Sequence, residues 1–104
     1  SFWNSTGRMY PDVSALGMNY LIFYKGEPRA GVAGTSCSSP VFGAIISLLN
    51  TQRVAAGKSV LGFLNPVIYE HASSFRDIVR GDNPGCGTDG FHALAGYDAV
   101  SGVG

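Results

Sequence analysis

The most prominent hydrophobic pattern in the chain lies near its middle and predicts one long helix. We expect this helix to run from about Ser38 to Ala56, because Gly57 is a typical C-terminal stop. Its apolar residues cover more than one face, and a helix of that kind is normally buried inside a larger protein. These apolar residues are Val41, Phe42, Ala44, Ile45, Ile46, Leu48 and Leu49. We therefore expect the helix to need more neighbours than a chain of 104 residues supplies.

Shorter elements are predicted on both sides of this helix. Aromatic and β-branched residues predict a strand over Tyr20–Lys25, and a turn follows it. Asn65 and Pro66 suit the start of a short helix, since asparagine is a favoured N-cap and proline fits the first turn. A second short strand is predicted over Phe75–Val79. The stretch 80–96 is rich in Gly, Asp, Asn and Pro, which predicts a loop.

Length and charge narrow the range of functions. A chain of 104 residues fits one domain, so we expect residues 1–104 to belong to a single domain. Seven basic and seven acidic residues give a net charge of zero, which argues against nucleic acid or an anionic membrane as a partner. The apolar run from Val41 to Leu49 is too short to span a bilayer. The chain begins with Ser1 rather than methionine, so we expect a fragment of a longer protein.

A hydroxyl-rich turn leads directly into the long helix; its sequence is GTSCSSP, residues 34–40. Glycine lets the backbone turn sharply, and a helix start offers unpaired N–H groups and the positive end of the helix dipole. An oxyanion that forms beside such a terminus is stabilised, so Ser36 is a candidate nucleophile. The alternative is that Ser36 only caps a buried helix, because serine is a favoured N-cap residue.

A nucleophilic serine needs a base, and three arrangements are open. In the subtilisin order the histidine precedes the serine, whereas His71 and His92 both follow Ser36. In the α/β-hydrolase order Ser36, Asp77 and His92 could form the triad. That fold calls for a glycine two residues after the serine, where this chain has Ser38. The third arrangement uses a carboxylate as the base.

Several separated stretches of the chain resemble, in the same order, the sedolisins, a family of serine-carboxyl peptidases. They are YPDVSAL (10–16), GTSCSSPVFG (34–43), LGFLNP (61–66), FRDI (75–78), GDNPGCGT (81–88) and GYDAVSG (96–102). The resemblance covers essentially the whole chain. It implies the C-terminal part of a subtilisin-like α/β domain, in which helices flank a parallel sheet.

The same resemblance implies roles for particular residues. Ser36 matches the family's catalytic serine. The glutamate base, the aspartate that orients it and the aspartate of the oxyanion site lie upstream in the family, and Glu27 matches none of them. The resemblance therefore implies an acid-active tripeptidyl- or endopeptidase acting on peptides or proteins, since a carboxylate base with a pKa of ~4 works in acid. The isolated chain is expected to be inactive without the upstream part of its catalytic domain.

A calcium site is also implied by the resemblance. Asp77 and Asp98 match two aspartates whose side chains bind one Ca²⁺ in the family. Ile78, Leu94 and Gly96 match residues that bind through backbone carbonyls. The chemistry is suitable, because Ca²⁺ takes ~6–8 oxygen ligands from carboxylates, carbonyls and water.

The two cysteines have different expected roles. By resemblance Cys86 forms a disulfide with an upstream cysteine, and the protein is secreted or lysosomal. Cys37, next to the candidate nucleophile, is interpreted as a small buried residue.

Two other functions stay open at this point: a nonenzymatic calcium-binding remnant, and a histidine-based serine hydrolase. The pH dependence of activity separates the histidine base from the carboxylate base.

Overall fold

The computed structural model describes residues 3–104, which divide into two compact units. One unit combines the residues up to 14 with residues 65–104, and the other comprises residues 15–64. Two strands, two α-helices and one 3₁₀ helix make this part of the chain mixed α/β. Its one sheet is an antiparallel pair, so these residues do not themselves form the predicted parallel sheet. No helix within 3–104 is both long and apolar enough to cross a bilayer.

The sheet is a hairpin of β1 (Tyr20–Tyr24) and β2 (Glu27–Val32) in the second unit. The predicted strand over Tyr20–Lys25 is confirmed, apart from its last residue. Lys25 and Gly26 form the connection, with φ angles of 52° and 82°. Two-residue hairpin turns with positive φ at both positions match the right-handed twist of the strands they join. A connection this short makes the pairing antiparallel.

Strand β2 was not predicted, because its sequence, EPRAGV, contains proline and glycine. Proline lacks an N–H donor and is therefore confined to edge strands. In this two-stranded sheet both strands are edges. The pairing is also irregular: β2 advances three residues from Arg29 to Val32 while β1 covers two. Gly31, with a φ of 74°, lies in this bulge, where a positive φ favours glycine.

The long helix, α1 (Thr35–Ala55), begins three residues earlier than predicted and ends one residue earlier. Its C-terminus is capped by backbone hydrogen bonds from the residues that follow. The N–H of Gly57 donates to the carbonyl of Val54 at 3.0 Å, and the N–H of Lys58 donates to that of Arg53 at 2.9 Å. Gly57 has a φ of 70°. This is the Schellman arrangement, and it confirms Gly57 as the C-terminal stop.

The apolar faces of α1 are not covered within the described residues. None of its residues is buried, and Leu48 is 66% exposed. Val41, Ile45, Leu49 and Val54 are also exposed. A helix with so much exposed apolar surface needs other protein segments against it, as the sequence pattern predicted.

The first unit contains all but the first residue of the second helix, α2 (Leu64–Glu70), and the 3₁₀ helix at Ala72–Ser74 that follows it. The helix predicted from Asn65 and Pro66 is confirmed, but it begins at Leu64, so the prediction of Asn65 as the N-cap is wrong. The strand predicted over Phe75–Val79 is wrong for the described chain. Phe75 is extended, with φ of −93° and ψ of 154°, but no neighbouring strand pairs with this segment. The loop predicted over 80–96 is confirmed, apart from isolated bridges.

Residues 101–104, which we call the closing segment, form much of the core of the first unit. Ser101, Gly102 and Val103 are buried. The N–H of Val103 donates to the carbonyl of Asp12 at 3.0 Å, and the N–H of Ser14 donates to that of Gly104 at 3.2 Å. The closing segment is thus fixed against the backbone of residues 12–14.

The side chain of Asp12 adds a second link within this unit. Its carboxylate accepts hydrogen bonds from the Tyr69 hydroxyl, at 2.6 Å, and from the Arg8 guanidinium. The Tyr69 hydrogen bond and the nearby Arg8 charge lower the pKa of Asp12, and the same bond to a carboxylate raises the pKa of Tyr69. Asp12 therefore connects α2 and the closing segment to Arg8.

Candidate nucleophile and candidate calcium site

The backbone before Ser36 makes a turn that requires glycine. Gly34 is the N-cap of α1, and its φ of 139° is accessible to glycine but rarely to other residues. Its N–H donates to the carbonyl of Gly17 at 2.7 Å. A Cβ on Gly17 would lie 3.0 Å from the carbonyl oxygen of Gly34, so this contact also favours glycine at 17. The turn that precedes Ser36 is thereby fixed by two glycines.

The start of α1 leaves two N–H groups open beside the Ser36 side chain. The N–H of Cys37 is paired with the carbonyl of Gly34 at 2.9 Å. Thr35 and Ser36 occupy the first two helical positions, where an N–H has no intrahelical acceptor, and no side chain caps the helix. Donors of this kind, at the positive end of a helix dipole, are suited to an oxyanion.

The Ser36 side chain is exposed and does not act as a cap. Its hydroxyl forms no hydrogen bond with any residue in the described range. The N-cap position is occupied by Gly34 instead, without a side-chain hydrogen bond, so the interpretation of Ser36 as a cap is wrong. Ser38 differs, because its hydroxyl donates to the Thr35 carbonyl at 3.3 Å. The Ser36 hydroxyl therefore has no structural hydrogen bond in the described part of the chain.

The histidine-based triad finds no support in the contacts of the first unit. His92 bridges to Asp82, with its Nδ1 3.9 Å from that carboxylate. Asp77, the proposed orienting carboxylate, instead accepts a hydrogen bond from the Gly96 N–H at 2.8 Å. His71 is exposed and follows α2. The pairing of Asp77 with His92 that a triad needs is absent among the hydrogen bonds of the described residues.

Among the candidate calcium ligands, Asp98 is the most deeply buried, at 7% exposure. Its Oδ1 accepts hydrogen bonds from the N–H groups of Val100 (2.8 Å) and Ser101 (3.0 Å) and from the Ser101 hydroxyl (3.3 Å). Its Oδ2 has one contact, with the same hydroxyl at 3.4 Å. No ion pair of the described residues involves Asp98. A buried carboxylate without a cationic partner is costly, so this one suits a bound cation.

Asp77 and Gly96 are joined directly. The Gly96 N–H donates to Oδ2 of Asp77, and Gly96 precedes Asp98 by two residues. Gly96 has a φ of 92°, which favours glycine at this turn. The structure thus connects Asp77 to the segment that carries Asp98. Ile78 adjoins Asp77 in the chain, and Leu94 precedes Gly96 with 66% of its surface exposed.

The three predicted carbonyl ligands, those of Ile78, Leu94 and Gly96, share one property. None accepts a hydrogen bond from the described residues, so their lone pairs are available to a cation. No cluster of three or more His, Cys, Asp or Glu side chains suited to a metal occurs in this range. A cation here would depend on two carboxylates, backbone oxygens and water, a donor set that suits Ca²⁺ rather than a softer metal.

Ser101 is a residue of this region that the sequence interpretation missed. It is 6% exposed, and its hydroxyl contacts both oxygens of Asp98. A hydroxyl three residues after an aspartate is a recognisable signal, because such short polar side chains pair locally in turns.

Neither cysteine is in a disulfide within the described residues. Cys37, interpreted as a buried residue, is only half-buried in the first turn of α1, and Cys86 is exposed. Cys86 adopts a φ of 52° in a turn. The disulfide between Cys86 and an upstream cysteine stays a prediction.

Comparison with known proteins gives a consistent group of relatives, although no protein-family model matches the chain. The tripeptidyl-peptidase sed1 of Aspergillus fumigatus is 51% identical over 98% of the chain, and aorsin of Aspergillus oryzae is 47% identical over the same share. Human tripeptidyl-peptidase 1 is 42% identical over the full chain. The chain spans only 16% of each fungal protein and 20% of the human one. The chain is therefore homologous to one segment of the tripeptidyl-peptidases, and this similarity agrees with the resemblance of its motifs to the sedolisins.

Proposed function

We propose that the full-length protein is an acid-active serine-carboxyl peptidase whose nucleophile is Ser36. The observation that carries the proposal is the exposed, unbonded Ser36 hydroxyl at the start of α1, beside the open N–H groups of Thr35 and Ser36. The similarity to tripeptidyl-peptidases supports the same reaction. In the complete subtilisin-like domain, other segments cover the exposed apolar faces of α1.

In this mechanism Ser36 forms an ester with the substrate. Its Oγ attacks the carbonyl carbon of the scissile peptide bond and transfers its proton to a carboxylate base supplied by another part of the protein. The open N–H groups at the start of α1 stabilise the oxyanion, together with the O–H of a protonated aspartic acid from outside this chain. The C–N bond then breaks, the amine product leaves with a proton, and water hydrolyses the acyl-serine ester.

The substrates are peptides, cleaved either as tripeptides from an N-terminus or internally. The names of the sed1 and human relatives favour the tripeptidyl activity. The base and the oxyanion aspartate are proposed to come from outside this chain, so residues 1–104 alone should be inactive. Activity in acid fits a secreted or lysosomal protein.

A calcium ion is part of the proposal. The carboxylates of Asp77 and Asp98 and the carbonyls of Ile78, Leu94 and Gly96 would hold it. The Asp98 carboxylate supports this assignment, because it is buried and has no cationic partner among the described residues. When bound, Ca²⁺ would supply a cationic partner for the Asp98 carboxylate, which has none among the described residues.

The pH dependence of kcat/KM in the full-length protein tests the proposed base. We expect the acid limb of the profile to have its midpoint near pH ~4, because a carboxylate base must be ionised to accept the Ser36 proton. A midpoint near pH ~6.5 would assign the base to a histidine and contradict the proposal. Absence of peptidase activity at every pH would leave a calcium-binding protein without enzymatic function.

A further inference from the structure

We propose that Ser101 is a positioning residue that orients the Asp98 carboxylate toward the calcium ion. The inference rests on the calcium site of the proposed function. It goes further because it assigns a role to a residue outside the ligand set.

The hydrogen bonds around Asp98 give its two carboxylate oxygens different roles. The N–H groups of Val100 and Ser101 both donate to Oδ1, at 2.8 and 3.0 Å. The Ser101 hydroxyl lies between the two oxygens, 3.3 Å from Oδ1 and 3.4 Å from Oδ2. Oδ1 is thereby held by the protein, while Oδ2 keeps most of its capacity to bind a cation.

The hydroxyl is the one side-chain hydrogen-bond donor to this carboxylate among the described residues. Without it, two N–H groups would still hold Oδ1, but Oδ2 would lose its only partner and the carboxylate plane could rotate. Orientation matters here because ligands held by surrounding hydrogen bonds bind a metal more tightly than freely rotating ones. Ser101 is therefore placed to limit the orientations of Asp98 before the ion binds.

Ser101 can perform this role because the fold holds its backbone in place. Asp98 and Gly102 exchange two backbone hydrogen bonds, of 3.2 and 3.0 Å, which close the turn around Ser101. The next residue, Val103, donates to the Asp12 carbonyl. Ser101 and Asp98 are 6% and 7% exposed, so water competes little for their contact.

Calcium binding to the full-length protein tests the inference, with isothermal titration calorimetry after removal of bound metal by a chelator. We expect Ser101→Ala to weaken calcium binding by about 10- to 100-fold, the range typical of residues that orient metal ligands. Ser101→Thr keeps the hydroxyl and should restore most of the affinity. Thermal unfolding of each variant with calcium and in excess chelator serves as the control, because a loss of orientation should destabilise the calcium-bound form more than the calcium-free form.

Three results would overturn the role of Ser101. They are an unchanged calcium affinity in Ser101→Ala, equally weak binding by Ser101→Ala and Ser101→Thr, and equal destabilisation of the calcium-free and calcium-bound forms by Ser101→Ala. The Asp98→Asn variant distinguishes a failure of the proposed Ser101 role from a failure of the proposed calcium site. If Asp98→Asn weakens binding while Ser101→Ala does not, the site stands and only the positioning role is lost. If wild type binds no calcium, or Asp98→Asn has no effect, the proposed calcium site is wrong and the inference falls with it.

Discussion

Replacing Ser36 with alanine in the full-length protein is expected to lower kcat for peptide hydrolysis by at least about 10⁴-fold, as for other serine nucleophiles. The alanine removes the oxygen that forms the acyl ester. The structural cost should be small, because the Ser36 hydroxyl is exposed and makes no hydrogen bond in the described chain. Steady-state kinetics on a peptide substrate, with thermal unfolding measured in parallel, would show lost activity without lost stability.

Ser38→Ala is the matched control for this prediction. Ser38 lies in the same turn, but its hydroxyl donates to the Thr35 carbonyl and is not proposed to react. We expect this variant to keep most of the activity. A Ser36→Ala protein that retains wild-type kcat would contradict the assignment of the nucleophile, and so would a Ser38→Ala protein with the larger loss.

Replacing Gly102 with alanine is expected to destabilise the full-length protein by about 3 kcal/mol. Gly102 has a φ of 69°, which costs non-glycine residues about 1–3 kcal/mol. A Cβ there would also overlap the Asp12 carbonyl, and overpacking of this kind costs about 1–3 kcal/mol more. Denaturant unfolding should reveal the loss as a lower midpoint.

Gly85→Ala provides the control for the glycine prediction. Gly85 belongs to the same unit and has a φ that other residues adopt, and an added Cβ there would have no neighbouring atom within 4 Å. We expect its unfolding midpoint to match that of wild type. Equal midpoints for Gly102→Ala and wild type would mean that the closing segment does not pack against Asp12 as described.

The sequence predicted the helical part of this fold better than the strands. The end of α1 follows from a local signal, Gly57, and so does the presence of α2 near Asn65-Pro66, although α2 begins at Leu64. Strand β2 was missed because Pro28 and Gly31 are unusual within a strand. The strand predicted at Phe75–Val79 has no partner within the described residues, and pairing with a distant partner cannot be recognised from local sequence.

For the candidate sites, sequence resemblance supplied the residues and the structure supplied their surroundings. The motif around Ser36 predicted a nucleophile, but only the structure shows that Gly34 is the N-cap and that the hydroxyl has no hydrogen bond within residues 3–104. Asp77 and Asp98 came from resemblance, whereas the burial of Asp98 and its contacts with Ser101 required the fold. The base could not be identified because no motif in this chain matches it.

The most direct test of the central claim is to identify the residue that forms the acyl-enzyme. The full-length protein would be mixed with a slowly deacylating peptide ester, quenched in strong acid, digested and mapped by mass spectrometry. We predict that the acyl group is found on Ser36, and that a Cys37→Ala variant still acquires it. An acyl group on Cys37, or on a residue outside the turn at 34–40, would contradict the assignment of Ser36 as the nucleophile.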